Sequence, residues 1–160
     1  MPVLVTSVNK SFKHQEPLIK KTALMLSRLM GRGGFFIGVY LIDNATMKKL
    51  NRKYGHRNKV TNVLAFETPK EFLKIKTKFG EVGSLGAKNR DIWEIQPRGE
   101  IYLAPDYIKQ KQENAPALLV HGFLHLLGFD HKKKGDRIKM EKLENKLFHK
   151  IKNQKQKIKN

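Results

Sequence analysis

The stretch HGFLHLLGFDH, residues 121–131, constrains this chain more than any other feature, because it contains three of the six histidines. It begins inside a segment, residues 114–128, whose apolar residues recur on nearly every side of a helix, so the pattern predicts a buried helix. His121 and His125 are four residues apart and therefore lie one turn apart on the same face of that helix. Asn114 stands where it can cap the N-terminus of the helix.

The residues after this histidine pair complete a metal-site pattern. Gly128 can adopt the left-handed conformation that ends a helix, and the chain then returns with His131. Two imidazoles from a helix and one from a turn leave one coordination position open, which is the arrangement of a catalytic zinc site. The alternative is a core helix whose histidines bond to carbonyl groups. Unpaired buried imidazoles would cost about 1–3 kcal/mol each, so the pattern favours Zn²⁺ bound by His121, His125 and His131.

Gly122 separates this pattern from that of the metalloproteases. The zinc helix of that class reads His-Glu-x-x-His, and its Glu is the general base for peptide hydrolysis. The glycine removes that base, and general-base catalysis is worth roughly 10²–10⁴ in rate. Cleavage of RNA does not require it, because a metal ion can activate water and the 2′-hydroxyl is an internal nucleophile. The sequence therefore favours RNA over peptide as the substrate.

The charge balance points to the same substrate class. The chain has 33 basic and 14 acidic side chains, a net charge of +19. Such an excess predicts a polyanionic partner such as nucleic acid; the alternative is a surface that only maintains solubility. The chain has no cysteine, and no segment has the pattern of a signal peptide or a membrane helix. We therefore expect a cytoplasmic protein without membrane or disulfide-linked partners.

Strand-like and helix-like patterns alternate along the chain and predict an α+β fold, one domain over residues 1–150 with a mixed sheet of about four strands packed with helices. The predicted strands are 3–8, 35–42, 60–68 and 100–104, and the predicted helices are 17–30, 43–54, 114–128 and one that begins near 135. Residues 70–98 are expected to form an irregular insertion or loop. Residues 151–160 are expected to form a basic, disordered tail. The last helix is expected to turn four apolar side chains inward: Ile138, Leu143, Leu147 and Ile151.

Four segments together carry a resemblance to a known family. HGFLHLLGFDH fits the signature His-Gly-x-Leu-His-Leu-x-Gly-x-Asp-His throughout. The segments LNRKYGHRNKVTNVLAF (50–66) and GEIYLA (99–104) are similar to two further blocks of the same family, and the helix with Met140, Glu141 and Glu144 is similar to a fourth. On these residues the chain resembles the YbeY family, the endoribonucleases and rRNA maturation factors of bacteria.

The resemblance implies a zincin-like domain with one Zn²⁺ held by the three histidines and hydrolysis of single-stranded RNA. It also implies work on the 3′ end of the small-subunit (16S) ribosomal RNA and in ribosome quality control. The implied partners are ribosomal RNA and the small ribosomal subunit or its assembly factors. A ribosome-assembly or RNA-binding factor with a mainly structural zinc is the alternative.

The chain departs from the family at Gly55, where the family has an arginine that faces the metal. Arg57 is the candidate replacement, because in a strand-like connection the second residue on returns to the same side. The adjacent His56 is another candidate. Asp130 is expected either to orient a ligand imidazole or to shape the turn. Three lysines after the last histidine are expected to bind phosphate near the metal: Lys132, Lys133 and Lys134.

Overall fold

Four strands form the sheet that carries the other elements in the computed structural model, which describes residues 3–29, 35–68, 76–77, 80–81, 96–129, 131 and 134–157. The strand order is β1-β2-β6-β3, with β1, β2 and β6 parallel and β3 antiparallel to β6 at the edge. The expected mixed sheet of four strands is confirmed. The strands are β1 Val3–Ser7, β2 Phe35–Leu41, β3 Val63–Glu67, the short antiparallel pair β4 Lys76–Thr77 and β5 Gly80–Glu81, and β6 Gln96–Leu103.

The helices of the described residues lie between and after the strands, which gives the expected α+β class. A 3₁₀ helix, Lys10–Gln15, precedes α1 Glu16–Leu29; the others are α2 Asn44–Tyr54, α3 Pro105–Gln110, α4 Ala115–Leu126 and α5 Lys134–Lys157. Among them there is no helix with the length and apolar composition that crossing a bilayer requires.

Different helices pack on the two faces of the sheet. Neighbouring side chains of a strand point to opposite faces, so they belong to different clusters. Ile37 and Val39 of β2 belong to the main core, which also contains residues of α1, α4 and α5. Tyr40 points to the other face and packs in a smaller cluster with Met47 of α2. Helix α4 is thereby held against β3 and β6 from one side, while α2 covers the opposite side near the same edge.

Asp43 caps the N-terminus of helix α2. The carboxylate of Asp43 accepts the backbone N–H of Thr46 at 2.7 Å. This bond favours the charged form and lowers the pKa of Asp43 below its usual value. The turn before α2 is therefore fixed by an interaction that is present at neutral pH.

Helix α5 differs from the expectation in two ways. Ile138 is not inward but 43% exposed, and the buried stripe runs instead through Met140, Leu147 and Ile151. These three residues follow a spacing of seven and four, which keeps them on one face, whereas Ile138 lies about 200° away from Met140. The expected disordered tail from residue 151 is also wrong for its first part, because the helix continues to Lys157 and Ile151 is buried.

The segment 70–98 lies largely outside the described residues, including 69–75 and 82–95. Two parts of it are regular: the pair β4–β5, and the first residues of β6, which begins at Gln96 rather than at the expected Glu100. The role of the remaining residues of this segment stays a prediction.

Candidate metal centre

Helix α4 brings the first two histidines to the edge of the core. Its N-terminus is capped as expected, since the side chain of Asn114 accepts the N–H of Ala117 at 3.0 Å. Ala115 and Leu118 pack partly buried against the main core, and five apolar residues of α4 are fully or almost fully buried in it: Leu119, Val120, Phe123, Leu124 and Leu126. His121 and His125 are only partly buried, because they lie on the side of the helix that borders an open cavity.

The turn after α4 brings the third histidine to the same place. Gly128 has a φ of 86°, which confirms the expected left-handed glycine. Its N–H donates to the carbonyl of His125 at 2.9 Å, and the N–H of Phe129 donates to the carbonyl of Leu124 at 3.1 Å. These bonds satisfy carbonyl groups that the end of the helix leaves open, and they direct the chain back so that His131 lines the same cavity.

The three imidazoles converge. The Nε2 atoms of His121 and His125 are 3.1 Å apart, and one ligand atom from each of the three histidines lies within 4.8 Å of the others. Nitrogen ligands at about 2.0–2.1 Å from a tetrahedral ion lie roughly 3.3 Å apart, so the helical pair already has the required separation. The three histidines together fit a metal ion with a coordination position left toward the cavity.

A carboxylate of α5 orients the first histidine. The Nδ1 atom of His121 lies 2.6 Å from Oε1 of Glu144, and both side chains are about one-third exposed or less. A carboxylate can only accept here, so His121 donates its Nδ1–H and presents the lone pair of Nε2 toward His125. This is the tautomer that a metal requires, and carboxylate–histidine pairs of this kind raise the basicity of the ligand.

Glu144 is the functional residue that sequence reasoning did not assign, although it stands in a segment that resembles the family. A signal for it exists in the sequence. It lies four residues after Met140 and three before Leu147, so it falls within the buried stripe of α5. A carboxylate in a buried stripe needs a partner.

We expect Glu144→Ala to weaken zinc binding by roughly 10–100-fold, because His121 would lose the group that fixes its tautomer and orientation. Competition titration with a chromophoric zinc chelator measures the effect without reference to activity. Glu141→Ala is the matched control, since Glu141 is exposed on the same helix and pairs with the exposed Arg137 one turn away. Equal zinc affinity for the two variants would show that Glu144 does not position the ligand.

Gly122 is buried at the closest approach of α4 to the sheet. A Cβ atom at this position would lie 3.1 Å from Cγ2 of Ile101 in β6 and 3.3 Å from Cγ2 of Val63 in β3. Both distances are shorter than ordinary van der Waals contacts, so even a methyl group requires the neighbours to move. A side chain at this position, such as the glutamate of the protease pattern, would therefore have to displace Ile101 and Val63 before it could extend into the cavity that Gly122 lines.

The histidines border a cavity of about 560 Å³. Its opposite wall is the edge strand β3, from Thr61 just before the strand to Glu67 at its end. A second cavity of about 450 Å³ adjoins it and shares Thr61, Asn62 and Leu64 as lining residues. The side chain of Asn62 is held between the two by Oε2 of Glu113, which accepts its Nδ2–H at 2.9 Å.

Arg57 lies in this second cavity with Lys59 and Lys111, not among the residues that line the histidine cavity. The connection that leads to it is not strand-like, as the periodicity argument assumed. His56 has a φ of 54°, and the N–H of Arg57 donates to the carbonyl of Asn51 at 3.1 Å, so the chain makes a turn at the end of α2. Arg57 is exposed, and the cavity that it lines shares a wall with the metal cavity.

Gly55 is closed to a larger residue by its neighbour. A Cβ atom there would collide with the side chain of Asn51, which is 4% exposed and donates to the carbonyl of Lys59 at 2.8 Å. An arginine at position 55 would therefore disturb the bond that holds the following turn.

The other expected site residues are placed less completely. Asp130, Lys132 and Lys133 lie outside the described residues. Lys134 is exposed at the first position of α5. The roles of these four residues stay predictions.

Comparison with known proteins identifies one family. The family model described as endoribonuclease YbeY matches residues 6–152. Two curated relatives with that name are from Aquifex aeolicus, 31% identical over 143 residues (89% of this chain and 87% of the relative), and Syntrophomonas wolfei, 33% identical over 119 residues (72% of each). A third, from Buchnera aphidicola of Schizaphis graminum, is 33% identical over 112 residues, which are 70% of this chain and 64% of that relative.

Among solved structures, a Thermotoga maritima protein determined in solution matches with a TM-score of 0.46 and 20% sequence identity. The match covers 95% of this chain and 93% of that one.

Proposed function

Because the chain belongs to the endoribonuclease YbeY family, we propose that it is a metal-dependent endoribonuclease that cleaves single-stranded RNA in the maturation of ribosomal RNA. The observation that carries the metal dependence is the convergence of three imidazoles on one wall of an open cavity. The net charge of +19 supports a polyanionic substrate in that cavity.

We propose Zn²⁺ as the metal, one ion per chain, bound by His121, His125 and His131. Imidazole nitrogens suit zinc, and three protein ligands are the number found in catalytic rather than structural zinc sites. When bound, the ion supplies Lewis-acid polarisation of a phosphate oxygen. The protein's part is to hold the ligands in one tautomer through Glu144 and to present the cavity wall to the RNA.

An RNA substrate is consistent with the absence of a general base at position 122, because RNA carries its own nucleophile. A peptide offers no nucleophile of its own, whereas each RNA phosphodiester lies beside a 2′-hydroxyl group. The close packing of Gly122 against Ile101 and Val63 keeps the helix near the sheet and holds the histidines at the cavity wall. The site is therefore built for a substrate that does not depend on a carboxylate from this turn of α4.

The experiment that tests this function compares one RNA in two forms. A labelled fragment from the 3′ region of small-subunit rRNA is given to the purified protein as a single strand and as an annealed duplex. We expect cleavage of the single strand, loss of cleavage with a chelator, recovery with added Zn²⁺, and resistance of the duplex. Cleavage that persists after full removal of metal would contradict the metal dependence, and a zinc-loaded protein that cleaves neither form would contradict the nuclease.

Arg57 is proposed to bind the RNA backbone beside the metal cavity. It lines the adjoining cavity with Lys59 and Lys111, so three cations face the same space. The wall shared by the two cavities, at Thr61 and Asn62, is where a strand of RNA would pass from one to the other.

If Arg57 binds a phosphate, Arg57→Ala is expected to weaken RNA binding about equally for different sequences. The slope of log affinity against log salt concentration is expected to fall by about one. A salt titration of binding measures this. Arg52→Ala is the control, because Arg52 is exposed on α2 and lines neither cavity. An unchanged slope for Arg57→Ala would remove Arg57 from the backbone contacts.

The remaining assignments follow from the family relationship and stay proposals. The substrate is the 3′ end of the small-subunit rRNA, reached in the cytoplasm on the small ribosomal subunit or with its assembly factors. Asp130 acts beside the ligand His131, either on an imidazole or in shaping the turn. The lysines that follow bind phosphate: Lys132, Lys133 and Lys134.

A further inference from the structure

A third cavity, on the other face of the edge strand, has a lining unlike the first two. It measures about 520 Å³, within the range of small-molecule sites. Three of its lining residues form a continuous aromatic chain: the ring centroids of Tyr54 and Phe66 are 5.2 Å apart, and those of Phe66 and Tyr102 are 5.8 Å apart, both edge to face. Tyr54, the first of these rings, is 52% exposed, so part of its face is open to solvent.

The two carboxylates that line this cavity repel a phosphate group from its interior. Glu67 and Glu100 both line it, in a chain that has only 14 acidic residues against 33 basic ones. Glu100 accepts the hydroxyl of Tyr102 at 2.6 Å and that of Tyr40 at 3.4 Å. Burial and then the bond to Glu100 raise the pKa of Tyr102, so this hydroxyl stays protonated and continues to donate. Two carboxylates repel the RNA backbone but leave acceptor positions for the N–H groups of a base.

The cavity and the proposed catalytic site share one lining residue. Glu67, the last residue of β3, lines both this cavity and the one that the histidines border. A cation lies at the aromatic wall, since Nζ of Lys53 is 5.0 Å from the centroid of the Tyr54 ring. In an unpaired nucleotide that crosses the end of β3, the base would thus contact the aromatic rings. Its phosphate would contact the ammonium group of Lys53 at the rim.

We propose that this aromatic cavity is a binding site for one unpaired nucleobase of the RNA, next to the phosphodiester at the metal site. The inference rests on the proposed nuclease function, since it names how the same substrate is held. Proteins read single-stranded RNA by stacking its bases on aromatic side chains, and a base must leave its duplex to enter such a cavity. The cavity thereby selects single-stranded RNA before the chemistry begins.

Tyr54 offers the cleanest test, because it is exposed and its replacement leaves the core intact. The probe is a fluorescein-labelled, 2′-O-methylated single strand, bound to zinc-loaded protein and shown intact by gel. We expect Tyr54→Ala to weaken binding about tenfold, because stacking of one base has this effect when the ring is removed. Tyr54→Phe keeps the ring and is expected to bind within about twofold of the parent.

A second probe identifies the ligand as a base. A set of strands, each with one abasic position, is expected to include one strand that has lost the base held by Tyr54. The parent should bind that strand as weakly as Tyr54→Ala binds the intact strand. Tyr54→Ala should bind that strand no more weakly than it binds the intact strand. The proposal would be overturned if Tyr54→Ala bound the intact strand as tightly as the parent does. It would also be overturned if Tyr54→Ala weakened binding by the same factor for every abasic strand. The binding assay is independent of cleavage: a parent that binds through Tyr54 but does not cut RNA would leave this site standing and remove the nuclease instead.

Discussion

Replacing His121 with alanine is expected to abolish RNA cleavage and to weaken zinc binding by at least about 100-fold. The variant retains two histidine ligands, and even the loss of an outer partner of a ligand costs 10–100-fold in metal affinity. It also leaves Glu144, a partly buried carboxylate, without the imidazole that lies 2.6 Å from it. Metal analysis after dialysis against a zinc buffer measures the first effect, and the single-stranded RNA assay measures the second.

Thermal unfolding separates loss of metal from loss of fold. Zinc that binds only the folded state stabilises it by an amount that grows with the ratio of zinc concentration to the dissociation constant. The parent is expected to melt at higher temperature with zinc, and His121→Ala at the same temperature with and without it. His149→Ala is the matched control, because His149 is exposed on α5 and its Nδ1 donates to a carbonyl of its own helix, that of Asn145, at 2.7 Å. A zinc-dependent shift in His121→Ala equal to that of the parent would mean that His121 is not a ligand.

The second large effect is expected from Gly122→Glu, which introduces the residue that the protease pattern carries. Even a Cβ atom at this position would be 3.1 Å from Ile101 and 3.3 Å from Val63. Overpacking costs about 1–3 kcal/mol, and a side chain as long as glutamate must displace both neighbours before it reaches the cavity that Gly122 lines, so we expect a loss of about 3 kcal/mol. For a chain of this size that corresponds to a fall in melting temperature of roughly 6–12 °C.

Gly122→Ala is the control for this prediction. It adds only the methyl group, and alanine favours a helix over glycine by about 1 kcal/mol, which offsets part of the crowding. Its loss is expected to stay below about 2 kcal/mol in urea unfolding. Gly122→Glu is also expected to show no peptidase activity. A Gly122→Glu protein as stable as the parent would show that α4 can move away from β3 and β6.

The convergence of the three histidines could be predicted from the sequence because their arrangement is local. His121 and His125 lie on one helix, and Gly128 turns the chain so that His131 follows, all within eleven residues. Each step depends on backbone geometry that neighbouring residues fix. The alternation of strands and helices likewise predicted the mixed sheet, since periodicity reports which face of each element is buried.

The parts that failed depend on how distant elements dock. Glu144 meets His121 across 23 residues, and only the rotation of α5 about its axis decides that it faces α4. Ile138 was expected inward because it is apolar, but the same rotation places it outward and Met140 inward. Arg57 was assigned on an extended connection, whereas a left-handed residue, His56, turns the chain there. No short-range pattern contains these choices.

The contact between His121 and Glu144 also sets an order of events during synthesis. All three histidines are translated before α5, which supplies the carboxylate and the buried stripe of Met140, Leu147 and Ile151. A chain stalled before residue 140 holds every ligand but lacks the helix that orients the first of them. The centre is therefore completed only once α5 has been made, when the four strands of the sheet and all three histidines are already present in the chain.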